Sequence, residues 1–115
     1  MKIAAYQGPS PEGDADHAFK TIDATLAKAV AQGAKMVVFP ELYLLGYNQM
    51  HRHAALAQCI GGGWETQCAN LTQKHKCGLT IGWVERDGEI LYNSASTFDA
   101  SGVKLGHYRK IQLWG

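Results

Sequence analysis

The sequence lacks a long apolar run, a secretion signal and an excess of charge of either sign. Its 115 residues contain no apolar stretch long enough to cross a membrane, and the first residues, Lys2 to Tyr6, read as a strand rather than as a basic region followed by an apolar one. Eleven basic and ten acidic residues give a formal net charge of +1. We therefore expect a cytoplasmic protein that binds neither membranes nor nucleic acids.

Disulfide and metal-site motifs are also missing. Cys59, Cys68 and Cys77 form no C-x-x-C pair, and the lack of a secretion signal favours a reducing compartment. We expect three free thiols, buried as small apolar side chains. The histidines have no carboxylates at ligand spacing, and the pair His51 and His53 is too weak a signal for zinc. No metal and no cofactor is therefore predicted.

The content of apolar residues, 46%, and the length predict one globular domain over residues 1–115. Residues 2–7 read as a strand, and a loop rich in glycine and proline follows. A helix capped by Asp14 or Asp16 is predicted next, because apolar residues recur at the spacing of one helical face, and Gly33 ends it. The predicted buried face consists of Phe19, Ile22, Leu26, Ala29 and Val30.

Residues 34–39 are almost all apolar, which predicts a strand that is covered on both faces. A weak helix is expected from about residue 53 to 60, and the glycines at 61–63 would join it to a stronger helix from 64 to about 76. Trp64, Cys68 and Leu71 mark the buried face of this second helix.

The last third of the chain predicts a β-meander. A strand over 79–84 leads into a hairpin turn at Asp87-Gly88, and the return strand covers 90–98. A second turn at 101–102 precedes a strand over 103–108. Asn93 is expected to serve a turn or a backbone hydrogen bond. The order β, α, β, α, β, β, β predicts an α/β fold with a mixed sheet.

Two charged residues stand where strands of this sheet are expected to end. Glu41 follows the apolar run 36–39 and a proline, and Lys110 follows the strand over 103–108. Loops at the carboxyl edge of a parallel sheet face a common crevice, so this carboxylate and this amine can meet there. The aromatic segment after Glu41 can line a pocket, which makes Tyr43 and Tyr47 candidates for substrate binding.

Four blocks of the sequence resemble the carbon-nitrogen hydrolases of the nitrilase and amidase superfamily. The blocks are Gln7, then Gly33-Ala34 with residues 37–41 and 46–47, then Gly82 with residues 92–94, and finally residues 108–110 with Leu113. They follow the family's order over nearly the whole chain. The resemblance implies a mixed sheet with helices on one face, about half of an α-β-β-α sandwich. It also implies hydrolysis of a small amide, nitrile or N-carbamoyl substrate by a Glu-Lys-Cys triad.

By this resemblance, Glu41 matches the general base and Lys110 matches the lysine that stabilises the tetrahedral intermediate. A thiol becomes a good nucleophile when a carboxylate takes its proton, and a fixed ammonium stabilises the oxyanion that forms. No cysteine follows Lys110, so the nucleophile is expected beyond Gly115. We therefore expect little turnover from the chain in isolation.

Half of a sandwich leaves one sheet face bare, and a large exposed apolar face calls for a cover. We expect either a second copy of the chain or a complementary C-terminal half to provide it. One alternative is a catalytically inactive assembly or partner-binding module of the same fold. Another is a flavodoxin-type nucleotide-binding module, which the opening βαβ unit suggests although a glycine-rich loop is missing.

Overall fold

The described part of the chain forms one five-stranded sheet and two helices. The computed structural model describes residues 2–9, 11, 14–40, 43–44 and 57–111. The strands are β1 (Ile3–Ala5), β2 (Met36–Val38), β3 (Gly78–Asp87), β4 (Ile90–Phe98) and β5 (Lys104–Ile111), and the helices are α1 (Ala15–Ala31) and α2 (Gly63–His75). The strands β1, β2 and β3 are parallel, whereas β4 and β5 are antiparallel to their neighbours. The predicted mixed α/β fold is confirmed.

The sheet order is β1-β2-β3-β4-β5, the same as the order along the chain. A flavodoxin-type sheet has the order 2-1-3-4-5, in which the chain turns back at a switch point and binds its nucleotide there. The described strands have no such reversal. The nucleotide-binding alternative therefore lacks structural support.

Helix α1 begins and ends as the sequence predicts. The Asp14 carboxylate accepts a hydrogen bond from the His17 N–H at 3.0 Å, and Gly33, with φ of +87°, follows the last turn. Ile22 and Leu26 are fully buried in the core. Val30 is 40% exposed, so the prediction that it is buried was wrong. It lies in the last turn, at the edge of the apolar stripe.

Within the described part of the chain, the strands β1 and β2 are covered on one face. Val37 is fully buried, whereas its neighbour Val38 is 37% exposed and Ile3 on β1 is 58% exposed. Successive side chains of a strand point to opposite faces, and within the described residues the helices pack on one of them. The prediction that the second strand is covered on both faces was therefore wrong for this chain.

The segment before α2 is extended where a weak helix was expected. Gln58 forms a bridge to Glu85 of β3, its N–H donates to the Val84 carbonyl at 3.1 Å, and its carbonyl accepts from the Arg86 N–H at 2.7 Å. The backbone N–H and C=O groups of Gln58 are thus bonded to β3, so they do not form the hydrogen bonds of a helix. Residues 53–56 of the expected helix lie outside the described residues, and the three glycines lead directly into α2.

Both predicted hairpin turns are confirmed. Gly88, with φ of +61°, lies between β3 and β4, and Gly102, with φ of +83°, lies between β4 and β5. Lys110 is paired inside β5 rather than following it, and Asn93 lies inside β4 directly opposite Lys110. Asn93 therefore serves no turn, whereas the alternative expectation, a backbone hydrogen bond from its side chain, stays a prediction.

The hydrophobic core lies between the helices and one sheet face. The Trp64 ring of α2 packs edge-on against Trp83 of β3, with ring centroids 6.3 Å apart. All three cysteines are free, and Cys68 and Cys77 are buried as predicted. Cys59 is exposed, which corrects its predicted burial, because it lies in the extended segment outside the core. Among the described helices, none has the length and apolar character needed to cross a membrane.

Candidate active site

The strand register divides the side chains of β3, β4 and β5 between two faces. Directly opposed residues of an antiparallel pair share a face, and residues along a strand alternate. Lys110 is opposite Asn93, which is opposite Val84, and the next row along consists of Tyr108, Ala95 and Gly82. We call the face that carries these two rows the open face. The opposite side, against which α2 packs, is the helix face.

A pocket of about 280 Å³ lies at the open face. Gly82 and Ala95 are paired directly opposite each other and form part of its floor, where neither carries a side chain larger than a methyl group. Tyr108 stands at its margin and is 67% exposed. The residues that line the pocket are Phe39, Thr80, Gly82, Asn93, Ser94, Ala95, Tyr108 and Lys110.

Lys110 contributes the only lysine or arginine side chain among these lining residues. Its position in β5 fixes where its backbone lies, because it is paired with Asn93, which is 8% exposed. Lys110 itself is exposed in this chain. An ammonium stabilises a developing oxyanion best where water is excluded. The described residues place the amine at a pocket but do not enclose it.

The predicted base, Glu41, and the predicted pocket residue Tyr47 lie outside the described residues. The chain on either side of Glu41 is held against β3. The Phe39 N–H donates to the Thr80 carbonyl at 2.8 Å, and the Leu44 N–H donates to the Gly82 carbonyl at 3.2 Å. Thr80 and Gly82 both line the pocket. A meeting of Glu41 with Lys110 stays a prediction.

Tyr43 packs within an aromatic cluster. Its ring centroid lies 5.3 Å from that of Tyr6 and 4.9 Å from that of Phe39, and its side chain is almost fully buried. Burial and the neighbouring Tyr6 hydroxyl raise the pKa of Tyr43 above the usual range. The residues that line the pocket with Lys110 do not include Tyr43. Its predicted role in substrate binding stays a prediction.

Two buried carboxylates lie on the helix face beneath the pocket. Glu85 of β3 is fully buried, and it accepts hydrogen bonds from Ser94 Oγ at 2.8 Å and from Arg109 Nε at 3.0 Å. A second bond joins Arg109 Nη2 to the other carboxylate oxygen, and His107 Nε2 lies 2.7 Å from Glu85 Oε1. Burial alone would raise the pKa of Glu85, but Arg109, Ser94 and His107 together lower it. Glu85 is therefore ionised at neutral pH.

The second carboxylate, Glu65 of α2, connects the helix to the sheet. It accepts from the Gly61 N–H at 2.7 Å, from Lys104 Nζ at 3.1 Å and from Ser96 Oγ at 2.9 Å. Burial opposes its ionisation, yet these donors lower its pKa below the usual range. Ser96 Oγ also accepts from Trp83 Nε1 at 2.9 Å and lies 3.0 Å from His107 Nδ1. Glu65 and Glu85 thus belong to one hydrogen-bonded network.

The buried cysteines are unsuited to nucleophilic attack. Burial raises the pKa of the Cys68 thiol to about 12, with Glu65 adding to the effect, and burial also raises the pKa of Cys77. Both are therefore protonated at neutral pH. None of the residues that line the pocket with Lys110 is a cysteine. In the part of the chain that the structure describes, no three His, Cys, Asp or Glu side chains cluster as a metal site would require.

Sequence reasoning missed the pocket floor and the carboxylate beneath it. A glycine and an alanine do not signal a pocket until the register places Gly82 beside Ala95. Glu85 carried a usable signal, because a glutamate directly after the apolar residues Trp83 and Val84 interrupts a buried strand. A second signal was the alternation along β5, in which His107 and Arg109 alternate with the pocket residues Tyr108 and Lys110.

Comparison with known proteins agrees with this architecture. The family model described as carbon-nitrogen hydrolase matches residues 2–115. A nitrilase from Pyrococcus abyssi is 35% identical over 99% of this chain and 44% of its own length. A bifunctional nitrilase/nitrile hydratase from Nicotiana tabacum is 31% identical over 78% of this chain and 33% of its own length. The chain thus spans a third to somewhat less than half of these relatives.

Solved structures give the same result for the fold. A cysteine-to-serine variant of the Nesterenkonia AN1 amidase, from the nitrilase superfamily, superposes with a TM-score of 0.86 at 27% identity. The match covers 100% of this chain and 45% of the amidase chain. A glutamate-to-glutamine variant of that amidase, with acrylamide added at its active-site cysteine, gives the same TM-score at 26% identity. The chain therefore belongs to the carbon-nitrogen hydrolase family.

Proposed function

We propose that the chain supplies the glutamate and the lysine of a carbon-nitrogen hydrolase site that acts on a small amide, nitrile or N-carbamoyl substrate. Glu41 is the general base, Lys110 stabilises the oxyanion, and the cysteine nucleophile comes from outside residues 1–115. The observation that carries the proposal is the pocket at which Lys110 and Phe39 meet. Phe39 is two residues from Glu41, and two residues span at most about 7 Å.

The backbone on both sides of Glu41 supports its assignment as the base. Pro40 and Tyr43 are joined by a hydrogen bond from the Tyr43 N–H to the Pro40 carbonyl at 3.2 Å. The segment that carries Glu41 is therefore short and held at both ends near the pocket. A carboxylate within hydrogen-bond reach of a thiol can take its proton and later activate the water that releases the product.

The exposure of Lys110 in this chain supports a site that is completed by other residues. The interaction of an ammonium with an oxyanion is strongest where water is excluded, so an exposed Lys110 needs a cover. The buried cysteines described above are protonated, so they are unsuited as the nucleophile. A separate C-terminal half would supply the cysteine, whereas a second copy of the chain would only cover the open face, and no cofactor is needed. The proposed substrate class is based on the relatives. One of them, a variant of the Nesterenkonia amidase in complex with butyramide, is 25% identical to this chain.

Ammonia release tests the proposal. The 115-residue chain is assayed alone, and again after fusion to the remaining part of the Pyrococcus abyssi nitrilase, with butyramide and a matching nitrile. We expect turnover only from the fusion. Glu41→Gln and Lys110→Met should each lower kcat/KM by about 100-fold or more. Lys20→Met, which changes an exposed lysine on α1, should leave it unchanged.

Three results would contradict parts of the proposal. Rapid ammonia release by the 115-residue chain alone would show that no outside cysteine is needed. An active fusion that keeps its rate after Lys110→Met would remove the catalytic role of the lysine. A fusion that folds and associates but never releases ammonia would favour the alternative of a catalytically inactive assembly or partner-binding module.

A further inference from the structure

The strand that carries Lys110 has its described backbone partner on one side only. β5 is the last strand in the sheet order and pairs with β4. An edge strand is held by half the ladder bonds of a central strand, so its end separates more easily. The position of Lys110 is therefore sensitive to any additional contact that holds this end of β5.

The helix face supplies such a contact through the residues next to Lys110 in sequence. His107 and Arg109 of β5 both point to Glu85 on β3, whereas Tyr108 and Lys110 line the pocket on the open face. Glu85 thus bonds across β4 to the outermost strand. It also accepts from Ser94 of β4, so one carboxylate joins three strands.

The bond to Arg109 is specific in geometry as well as in charge. Both carboxylate oxygens of Glu85 accept from the guanidinium, through Nε and Nη2. A fork of this kind fixes direction as well as distance. Because Glu85 is fully buried, an ionised carboxylate without these donors would be strongly unfavourable. The contact therefore forms only when the guanidinium of Arg109 lies within a narrow range of positions relative to Glu85.

Holding Arg109 also fixes the register of its neighbour. Arg109 is opposite Ser94 and Lys110 is opposite Asn93. A slip of one residue would turn Lys110 to the helix face and Arg109 to the pocket. We propose that Glu85 is a positioning residue, which keeps Lys110 opposite Asn93 at the pocket by bonding Arg109 from the other face. This inference rests on the catalytic role proposed for Lys110.

Amide hydrogen exchange of the purified chain tests the inference without an activity assay. Glu85→Gln keeps the size of the side chain and removes its charge. We expect exchange of the amides of residues 107–111 to accelerate about tenfold or more, while the amides around Ile22 and Leu26 in α1 change less than about twofold. Nuclear Overhauser contacts between the backbones of Asn93 and Lys110 should weaken in the same variant.

The control removes another paired carboxylate. Asp23→Asn disrupts the contacts of Asp23 with Lys74 Nζ at 3.0 Å and His75 Nε2 at 2.5 Å, which lie between the two helices. This variant should leave the β5 amides unchanged. Arg109→Lys retains the charge but loses the fork, so it gives a milder form of the same change and can be measured if Glu85→Gln does not fold.

The outcomes separate this inference from the proposed function. Uniform acceleration over all elements would mean that Glu85 acts only on global stability, and no acceleration in β5 would mean that Glu85 does not hold this strand. In either case the inference would be wrong whatever the role of Lys110. In the active fusion, Glu85→Gln should lower kcat about tenfold and change KM less than about twofold. A fusion that loses activity on Lys110→Met but keeps full kcat on Glu85→Gln would also overturn the inference.

Discussion

At the scale of single residues, one lysine has a conformation that lysine rarely adopts. Lys76 ends α2 with φ of 53° and ψ of 47°, the left-handed region, and its N–H donates to the Thr72 carbonyl. Lys76→Gly should raise the free energy of unfolding by about 0.5 kcal/mol, because relief of strain exceeds the added backbone entropy of the unfolded chain. Urea denaturation measures this change.

A matched substitution at an ordinary helical position gives the control. Lys28 is exposed in the last turn of α1, so Lys28→Gly should lower the free energy of unfolding, by up to about 1 kcal/mol. Equal destabilisation by the two glycine substitutions would show that Lys76 carries no strain. The strain at Lys76 concerns the backbone alone. The sequence did not predict it, because lysine is not typical of a left-handed position.

At the scale of elements, the buried carboxylates make the contact of α2 with the sheet sensitive to acid. The pKa of Glu65 lies below the ordinary glutamate value of 4.5, and so does that of Glu85. A lowered pKa gives stability that is present above pH 4.5 and is lost as the pH falls through the value in the folded chain. We expect thermal unfolding between pH 7 and pH 3 to show this loss.

Glu65→Gln tests the source of the acid sensitivity. It should cost about 2 kcal/mol at pH 7, because the charge-assisted bonds of Lys104 and Ser96 are weakened, and it should flatten the fall below pH 4.5. Glu89→Gln changes an exposed glutamate in the β3 to β4 turn and should alter neither. A Glu65→Gln variant with an unchanged acid profile would contradict the assignment.

For the molecule as a whole, we expect the exposed apolar residues of the open face to govern association in solution. Ile3, Val38 and Tyr108 are exposed, because within the described residues the helices pack against the other face of the sheet. Burial of apolar surface favours association, so we expect self-association that grows with concentration in sedimentation velocity experiments. A stable monomer over the whole concentration range would contradict this expectation.

A pair of valine substitutions locates the association surface. Val38→Thr removes apolar surface from the open face, whereas Val30→Thr makes the same change on α1, where the side chain is exposed to a similar extent. Association should weaken for Val38→Thr and remain for Val30→Thr. If both variants associate as strongly as the parent chain, the open face is not the contact surface.

Most of the elements could be predicted from the sequence alone. The 3.6-residue spacing of apolar residues predicted α1, the capping aspartate predicted its start, and the two glycine turns predicted the meander. These signals are local, since each depends on residues within a few positions of one another. Local signals also placed Lys110 near the end of the last strand.

Which residues share a face, and which residues lie behind Lys110, became clear only from the folded structure. The pocket floor required the register of β3 with β4, and the exposure of Val38 required knowledge of which sheet face the helices cover. The hydrogen bonds that hold Arg109 come from Glu85, which is 24 residues away in sequence. Such contacts depend on long-range pairing, because the sequence of one strand does not specify which residue of the neighbouring strand lies opposite each of its own residues.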